Sequence, residues 1–212
     1  MNYAAILSQY RLGVTAGALV FAFTTLLTSQ APAMDWGLAL CMLLAVLSER
    51  WLLVLPRYGP FTLSESILFA VVFRYGPVAT LLVALLAGLS RFQRESKESR
   101  NCTPEFVSYS LSQNWLSYGC AAWAWYSLRG LGQLLAHNPL FDLTLMLMCG
   151  FSVFAIQAYL VAVHHWLEQR CLGDWSTRIN WPRLRLLSQA LLPLGVLLAA
   201  CLQEQPGAVL LI

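Results

Sequence analysis

The chain has 212 residues, of which 58% are hydrophobic and only 11% are charged, and its formal net charge is +3. Soluble domains carry about 25% charged residues, so this composition, with a mean hydropathy of +0.63, excludes an ordinary water-soluble domain. The apolar residues stand in long runs that do not alternate with polar ones, which excludes a membrane β-barrel and predicts an all-α integral membrane protein.

The first apolar run covers residues 12–28 and the second covers residues 37–55. Only Arg11 precedes the first run as a charged residue, and no convincing small-x-small cleavage site follows it before Asp35. This pattern indicates a retained helix rather than a cleaved signal peptide. Pro56 opens the turn-forming segment PRYGP and ends the second run.

A third apolar stretch, residues 61–92, has Gly76 and Pro77 in its middle. Proline cannot continue a helix without losing a backbone hydrogen bond, and glycine is a natural helix stop. The two pieces, residues 62–75 and 78–90, are each short, because about 14 residues cover only about 21 Å of a hydrocarbon core about 30 Å thick. We therefore predict a short helical hairpin bent at Gly76-Pro77, with a single kinked helix as the alternative.

Three further apolar runs cover residues 106–128, 140–166 and 186–202. Together the runs predict a bundle of about seven transmembrane helices, with six to eight as the range, in a single domain over residues 1–212. A last apolar stretch ends at Ile212 in mid-run, which favours the interpretation that the chain is the membrane part of a longer protein. A short hydrophobic tail at the membrane surface is the alternative interpretation.

Positive charge is distributed unevenly between the predicted loops. Cytoplasmic loops carry the excess of Lys and Arg. With a cytoplasmic N-terminus, the two basic segments, residues 91–100 and 170–185, both fall on the cytoplasmic side, and the loop of residues 28–35, which has no Lys or Arg, falls outside. The sequence therefore predicts a multi-pass protein with a cytoplasmic N-terminus and the lipid bilayer as its immediate partner.

Ionisable side chains within membrane helices are costly, and each is a candidate for function. Glu65 lies one turn into the third run, between Ser64 and Ser66, where the serines can satisfy free backbone donors and the carboxylate complements the helix dipole. The alternative role of Glu65 is a buried acceptor for a ligand. Glu49 and Arg50 lie in the last turns of the second run and are interpreted as pairing or snorkelling near the cytoplasmic interface.

Amide side chains also lie inside the predicted bundle. Gln113 and Asn114 stand near the polar start of the run of residues 106–128, and Gln157 lies deep in the run of residues 140–166. They predict either hydrogen bonds between helices, which is the usual role of such groups, or a ligand pocket lined together with Trp123. The candidate ligand-binding residues are Glu65, Gln113, Asn114, Gln157 and Trp123.

Motifs for other chemistry are missing from the sequence. His164 and His165 are adjacent and point in different directions on a helix, so they are interpreted as an interfacial cap rather than a metal site. The six cysteines form no C-x-x-C pair, and no phosphate-binding glycine loop, H-E-x-x-H or G-x-S-x-G motif is present. We therefore predict no catalytic residue, no metal, no cofactor and no enzyme activity. The basic loops suit anionic lipid headgroups better than nucleic acid.

Three segments resemble a known kind of membrane region: ERWLLVLPRYGPFTLSESILFAVVFRYGPVATLLVALLAGLSRF, QNWLSYGCAAWAWYSL and HHWLEQRCLGDWSTRINWPRLRLLSQALLPLGVLLAACLQEQPGAVLLI. The region is the multi-helix N-terminal part of bacterial signalling proteins that carry GGDEF, HD-GYP or histidine kinase domains. The shared features are a helix that ends near a proline, a serine-rich helix start, a Gly-Pro pair and a small-residue helix before a basic loop. The resemblance covers about residues 44–212.

The resemblance implies a sensory or anchoring role in the bacterial inner membrane, with a state relayed through helix packing. It implies a cytoplasmic effector domain or partner subunit, leaves a homodimer open, and transfers no catalytic residue. The helix layout is also similar to that of the S-components of vitamin transporters, so a small-molecule transporter or substrate-binding membrane subunit is the alternative function. A membrane enzyme using Glu49, Glu65 or the histidines is a third interpretation.

Overall fold

The computed structural model describes residues 3–29, 32, 34–50, 53–55, 59–61, 63–98, 104–132 and 139–172. Within these ranges the chain is helical, apart from one small strand pair. The elements are α1 (Tyr3–Thr28), α2 (Trp36–Arg50), β1 (Leu53–Leu55), β2 (Gly59–Phe61), α3 (Ser64–Arg74), α4 (Pro77–Glu98), α5 (Pro104–Gly132) and α6 (Pro139–Leu172). The predicted seventh run, residues 186–202, and the terminal run, residues 208–212, lie outside the described residues.

Two of the described helices, α1 and α6, are long and apolar enough to cross a membrane. Both expose large apolar side chains, which include Leu19, Val20, Phe23, Leu26, Leu27, Leu147, Met148 and Phe151. Soluble monomers rarely expose extended apolar surface, whereas lipid tails cover such a surface without cost. The exposed faces of α1 and α6 therefore suit a membrane environment.

The second apolar run does not stay helical to its predicted end. The helix α2 ends at Arg50, and Leu53–Leu55 form strand β1 instead. This strand pairs in an antiparallel manner with β2, so that Leu53 lies opposite Phe61. A short apolar run is compatible with either a helix or a strand, and Pro56 disfavours the helical conformation of the residue before it. The helical prediction for residues 53–55 was therefore wrong.

The predicted break at Gly76-Pro77 is confirmed, because α3 ends at Arg74 and α4 begins at Pro77. Gly76 has a φ of +92°, a left-handed conformation that glycine adopts without strain. Its carbonyl accepts hydrogen bonds from the backbone nitrogen and the Oγ1 of Thr80, at 3.0 and 2.8 Å. Gly76 thus ends one helix and starts the next, and Pro77 occupies the first helical position, where no N–H is needed.

Two side chains of α5 donate hydrogen bonds to the last backbone carbonyls of α3. The last carbonyls of a helix have no donor within the helix. The indole Nε1 of Trp125 donates to the carbonyl of Phe73 at 3.1 Å, and the hydroxyl of Tyr126 donates to the carbonyl of Arg74 at 3.0 Å. The turn of the hairpin is therefore fixed by α5 as well as by its own glycine.

The two arms of the hairpin differ in length. The first arm, α3, has 11 residues and is as short as predicted, whereas α4 has 22 residues and continues past Ser90 to Glu98. At 1.5 Å per residue, α4 is about 33 Å long. The prediction of a short second arm was wrong, because the Arg, Gln, Glu and Lys residues beyond the apolar run are good helix formers and extend the helix.

Helices that follow one another in the chain alternate in direction. Tyr10 lies near Tyr109, with ring centroids 5.9 Å apart, and Thr25 is hydrogen-bonded to Trp123, so α1 and α5 run parallel. The bonds from α5 to α6 pair residues in the opposite order, so these two helices are antiparallel. The N-terminal parts of α1, α3 and α5 thus lie at the same end of the bundle as the C-terminal parts of α2, α4 and α6.

The core is centred on α3, which is buried along nearly its whole length. Phe69 packs edge-on against Tyr118 of α5, with ring centroids 5.3 Å apart. Phe73 packs in the same manner against Trp125 at 5.2 Å. The hairpin is therefore held in the interior by aromatic contacts as well as by the hydrogen bonds at its turn.

Candidate functional site: a buried carboxylate and two arginines

The carboxylate of Glu49 lies in the protein interior and is paired with two arginines. Glu49 is 1% exposed. Arg91 binds it with two hydrogen bonds, from Nε to Oε2 and from Nη2 to Oε1, each 3.1 Å long. The Nη1 of Arg94 lies 3.6 Å from Oε2 and also donates to the backbone carbonyl of Glu49. Ser64 donates its hydroxyl to Oε1. These four residues form the Glu49 network.

The Glu49 network joins three helices at one end of the bundle. Glu49 belongs to the last turn of α2, Ser64 to the first turn of α3, and the two arginines to the C-terminal part of α4. A bidentate arginine–carboxylate pair requires a defined orientation of both groups. A buried ion pair adds little net stability over apolar packing, but breaking it is costly. The network therefore specifies how α2, α3 and α4 pack.

The structure confirms that Glu49 is paired, but it does not place the carboxylate at an exposed interface. Arg50 beside it is exposed. The partners Arg91 and Arg94 were not predicted from the sequence. The predicted topology does indicate them indirectly, because it puts the end of the second run and the basic segment of residues 91–100 on the same side of the membrane.

Glu65 lies beside the Glu49 network. It is half-buried in the first turn of α3 and interacts electrostatically with Arg91 and Glu49. The serines next to Glu65 were predicted to cap the start of α3. The observed N-cap residue is Leu63, and no side chain caps the helix there. Ser64 instead donates to the buried carboxylate, and a hydrogen bond to a charged acceptor is stronger than one to a backbone group.

Replacing Glu65 by alanine is expected to lower the free energy of unfolding by about 1 kcal/mol, because a first-turn carboxylate interacts favourably with the helix dipole. The measurement is the unfolding of both proteins in the same detergent. The Glu65→Gln variant is the control, since it keeps the shape of the side chain and loses only its charge. Failure of Glu65→Ala to fold at all would contradict this role and assign Glu65 to the structural core.

The amide candidates link α5 to α6. Gln113 donates from Nε2 to the backbone carbonyl of Gln157 at 3.3 Å, and the side chain of Gln157 interacts with the hydroxyl of Tyr118. Asn114 is half-buried, and its backbone carbonyl accepts a 3.4 Å hydrogen bond from Ser117 within the same helix. The contact from Gln113 to Gln157 is of the kind expected for polar groups that hold membrane helices together.

The five candidate residues do not gather in one place. Glu65 and Gln157 both approach Tyr118, a fully buried side chain. Trp123 is 38% exposed and donates from Nε1 to the Oγ1 of Thr25 on α1 at 3.2 Å. Trp123 therefore serves the contact between α1 and α5, apart from the amides and the carboxylates.

A second polar group, the His164 cluster, joins α1, α5 and α6. Arg11 donates from Nε to the Nε2 of His164 at 2.9 Å. The ring of Tyr109 stacks on His164, with centroids 4.6 Å apart. The hydroxyls of Tyr10 and Tyr109 both donate to the backbone carbonyl of Leu160, at 2.9 and 2.8 Å. Because the helices alternate in direction, this cluster lies at the same end of the bundle as the Glu49 network.

The two adjacent histidines have different surroundings. His165 pairs through its Nε2 with the Nε2 of Gln169 at 2.8 Å, whereas His164 faces α1 and α5. The Oε2 of Glu168 lies 3.9 Å from the Nδ1 of His164 and 3.8 Å from the Nδ1 of His165. Within the described ranges, no three His, Cys, Asp or Glu side chains are placed to hold a metal ion together.

Comparisons with protein-family models, with curated proteins and with solved structures found no match to this chain. The resemblance to the membrane regions of signalling proteins therefore stays a prediction. The function proposed below depends on the geometry of the Glu49 network and on the chemistry of its residues.

Proposed function

We propose that this chain is a non-enzymatic sensor or anchor module of a bacterial signalling protein. It lies in the inner membrane as a multi-pass bundle with a cytoplasmic N-terminus, and it relays a ligand or membrane state through helix packing. The observation that supports the proposal is the Glu49 network, which couples the ends of three helices through buried charges.

Buried charges of this kind suit a relay. A change in the position of α2 relative to α4 that breaks the bidentate bond from Arg91 leaves the buried carboxylate of Glu49 with fewer partners, which is costly. We therefore expect the arrangement that keeps this bond and any arrangement that lacks it to differ clearly in free energy. A signal changes the population of such arrangements when it binds one of them more tightly than the other.

The charge distribution supports the proposed orientation. The Glu49 network and the His164 cluster lie at the same end of the bundle, and the basic segment at the end of α4 continues from that end. Positive residues accumulate on the cytoplasmic side. Green fluorescent protein fused after Leu172 is expected to fluoresce, and alkaline phosphatase fused after Asp35 or Gly132 is expected to be active. The reverse pattern would contradict the orientation.

The relay is tested with a reporter. The full chain is fused to a cytoplasmic catalytic domain whose activity depends on the arrangement of its subunits, and the output is measured in cells with the expression level controlled. Arg91→Lys, which replaces the bidentate pair by a point charge, is expected to change the output about fivefold or more, the lower range of allosteric coupling. Arg50→Lys on the exposed position of α2 is the matched control. Equal output from all three proteins would contradict the relay.

The alternative is a small-molecule transporter or substrate-binding subunit, and one observation favours it. Tyr118, Gln157 and Glu65 place hydrogen-bonding groups in the interior of the bundle. A transported solute would need such groups to replace its water shell. Mass spectrometry of the purified protein tests this: a small molecule or a transporter subunit that copurifies with it, and is lost on Tyr118→Phe, would support transport over sensing.

A further inference from the structure

The hydrogen bond between Arg11 and His164 defines the protonation state of the histidine. A guanidinium has only donors and no acceptor. The Nε2 of His164, which lies 2.9 Å from the Nε of Arg11, must therefore carry a lone pair. This requires a neutral imidazole with its hydrogen on Nδ1. The contact joins α1 to α6 across 153 positions of the chain.

The groups that face His164 come from all three helices around it. Arg11 and Tyr10 approach from α1, and Tyr109 stacks on the ring from α5. On α6 itself, Glu168 and His165 face the Nδ1 side, and the carboxylate oxygen of Glu168 is 3.9 Å from Nδ1. Arg11 thus faces Nε2, while the carboxylate of Glu168 faces Nδ1 and is shared with His165.

Protonation of His164 is incompatible with this arrangement. The added proton would occupy the lone pair on Nε2 that accepts the hydrogen bond from Arg11. Two donors, each on a positive group, would then face each other at a distance of one hydrogen bond. Glu168 lies on the opposite side of the ring and does not separate the two positive groups. The bond from Arg11 must therefore break when the imidazole becomes charged.

We propose that His164 is a proton-sensitive latch between α1 and α6. The neutral imidazole holds Arg11 and fixes the first turns of α1 against α6, and the imidazolium releases them. The bond from the hydroxyl of Tyr10 to the carbonyl of Leu160 does not depend on the histidine, so α1 pivots about this point rather than leaving the bundle. This inference rests on the proposed sensor function and names proton concentration as an input to it.

Nuclear magnetic resonance of the full-length protein, with histidine labelled by ¹⁵N, tests the chemical basis of the latch. At about pH 8, His164 is expected to show the neutral tautomer with its hydrogen on Nδ1. Histidine side chains change their charge in the range of about pH 5 to 8, so the signal is followed across that interval. A neutral tautomer with its hydrogen on Nε2 would overturn the proposal, and this measurement needs no variant.

A distance measurement by pulsed electron resonance tests the movement. Spin labels are placed through non-natural amino acids at Ser8 of α1 and Val161 of α6, both exposed positions. The distance between the labels is expected to increase and its distribution to broaden when the pH falls from about 8 to about 5. An unchanged distribution in the wild-type chain would overturn the latch.

Two variants assign the movement to His164. His164→Gln keeps an acceptor for Arg11 at every pH and is expected to abolish the change. His165→Gln, on the neighbouring position, is the matched control and is expected to retain it. A change that persists in His164→Gln, or that disappears in His165→Gln, would overturn the proposal. None of these measurements needs an output domain, so failure of the latch is distinguishable from failure of the sensor function, which the reporter tests.

Discussion

Replacing Glu49 by alanine is expected to lower the free energy of unfolding by about 3–5 kcal/mol, the usual cost of removing one partner from a buried ion pair. The variant leaves the partly buried Arg91 and Arg94 without the carboxylate they now bind, and it removes the acceptor of the Ser64 hydroxyl. The measurement is thermal or denaturant unfolding of the purified full chain in detergent.

Two variants show whether the loss comes from the buried charge. Arg50→Ala, on the exposed neighbouring position, is expected to change stability by no more than about 0.5 kcal/mol. Glu49→Gln keeps an acceptor for the arginines but removes the charge, so its loss is expected to be intermediate. If Glu49→Ala were as stable as Arg50→Ala, the Glu49 network would not determine the packing of α2 against α4.

Replacing Trp125 by alanine is expected to cost about 3–5 kcal/mol, the range for the removal of a large aromatic side chain from a core. Trp125 is 1% exposed and packs edge-on against Phe73. Its loss leaves a cavity next to α3 and removes the donor to the Phe73 carbonyl. The loss of stability is measured by thermal or denaturant unfolding of the purified variant in detergent, as for Glu49→Ala.

The same helix offers the matched control for Trp125. Trp123 lies two residues away, is partly exposed, and also donates a hydrogen bond from its indole. Trp123→Ala is expected to cost clearly less, because it leaves no closed cavity. Trp125→Phe keeps most of the ring but not the donor, so its expected loss is about 1–3 kcal/mol. Equal losses at positions 123 and 125 would show that the hairpin does not depend on Trp125.

The break between α3 and α4 was predictable because it follows from covalent geometry. Proline removes a backbone donor, and glycine accepts a left-handed conformation at any place in a fold. Gly76 and Pro77 therefore favour a helix end followed by a helix start without help from any other part of the fold. The end of α4 was less predictable, because the charged residues after Ser90 have a high helix propensity and only the apolar run ends there.

The partners within the polar clusters were not predictable in the same manner. Arg91 is 42 positions from Glu49, and Arg11 is 153 positions from His164. Such pairs depend on which helix faces which, and a hydropathy pattern gives the position of a helix along the chain but not its neighbours. The predicted topology assigns each residue to one side of the membrane. This reduces the number of possible partners for Glu49 and His164 but does not identify the actual ones.

The candidate ligand residues show a related limit. Gln113 and Gln157 were chosen because amides are costly in a membrane helix, and the structure places them in contact. Trp123 was named as a residue that could line a pocket with them, but it lies at a different contact, with α1. The free-energy cost of a polar group in an apolar environment identifies groups that must have hydrogen-bond partners. It does not show that several such groups bind the same ligand.

The hairpin also constrains the order in which the protein is made. At 1.5 Å per residue, the 11 residues of α3 reach about 16 Å, roughly half of the hydrocarbon core, so α3 cannot enter the bilayer as an independent span. The donors for its last carbonyls belong to Trp125 and Tyr126, which the ribosome adds 52 residues after Phe73 and Arg74. The contacts that fix the turn of the hairpin can therefore form only after α5 has been synthesised.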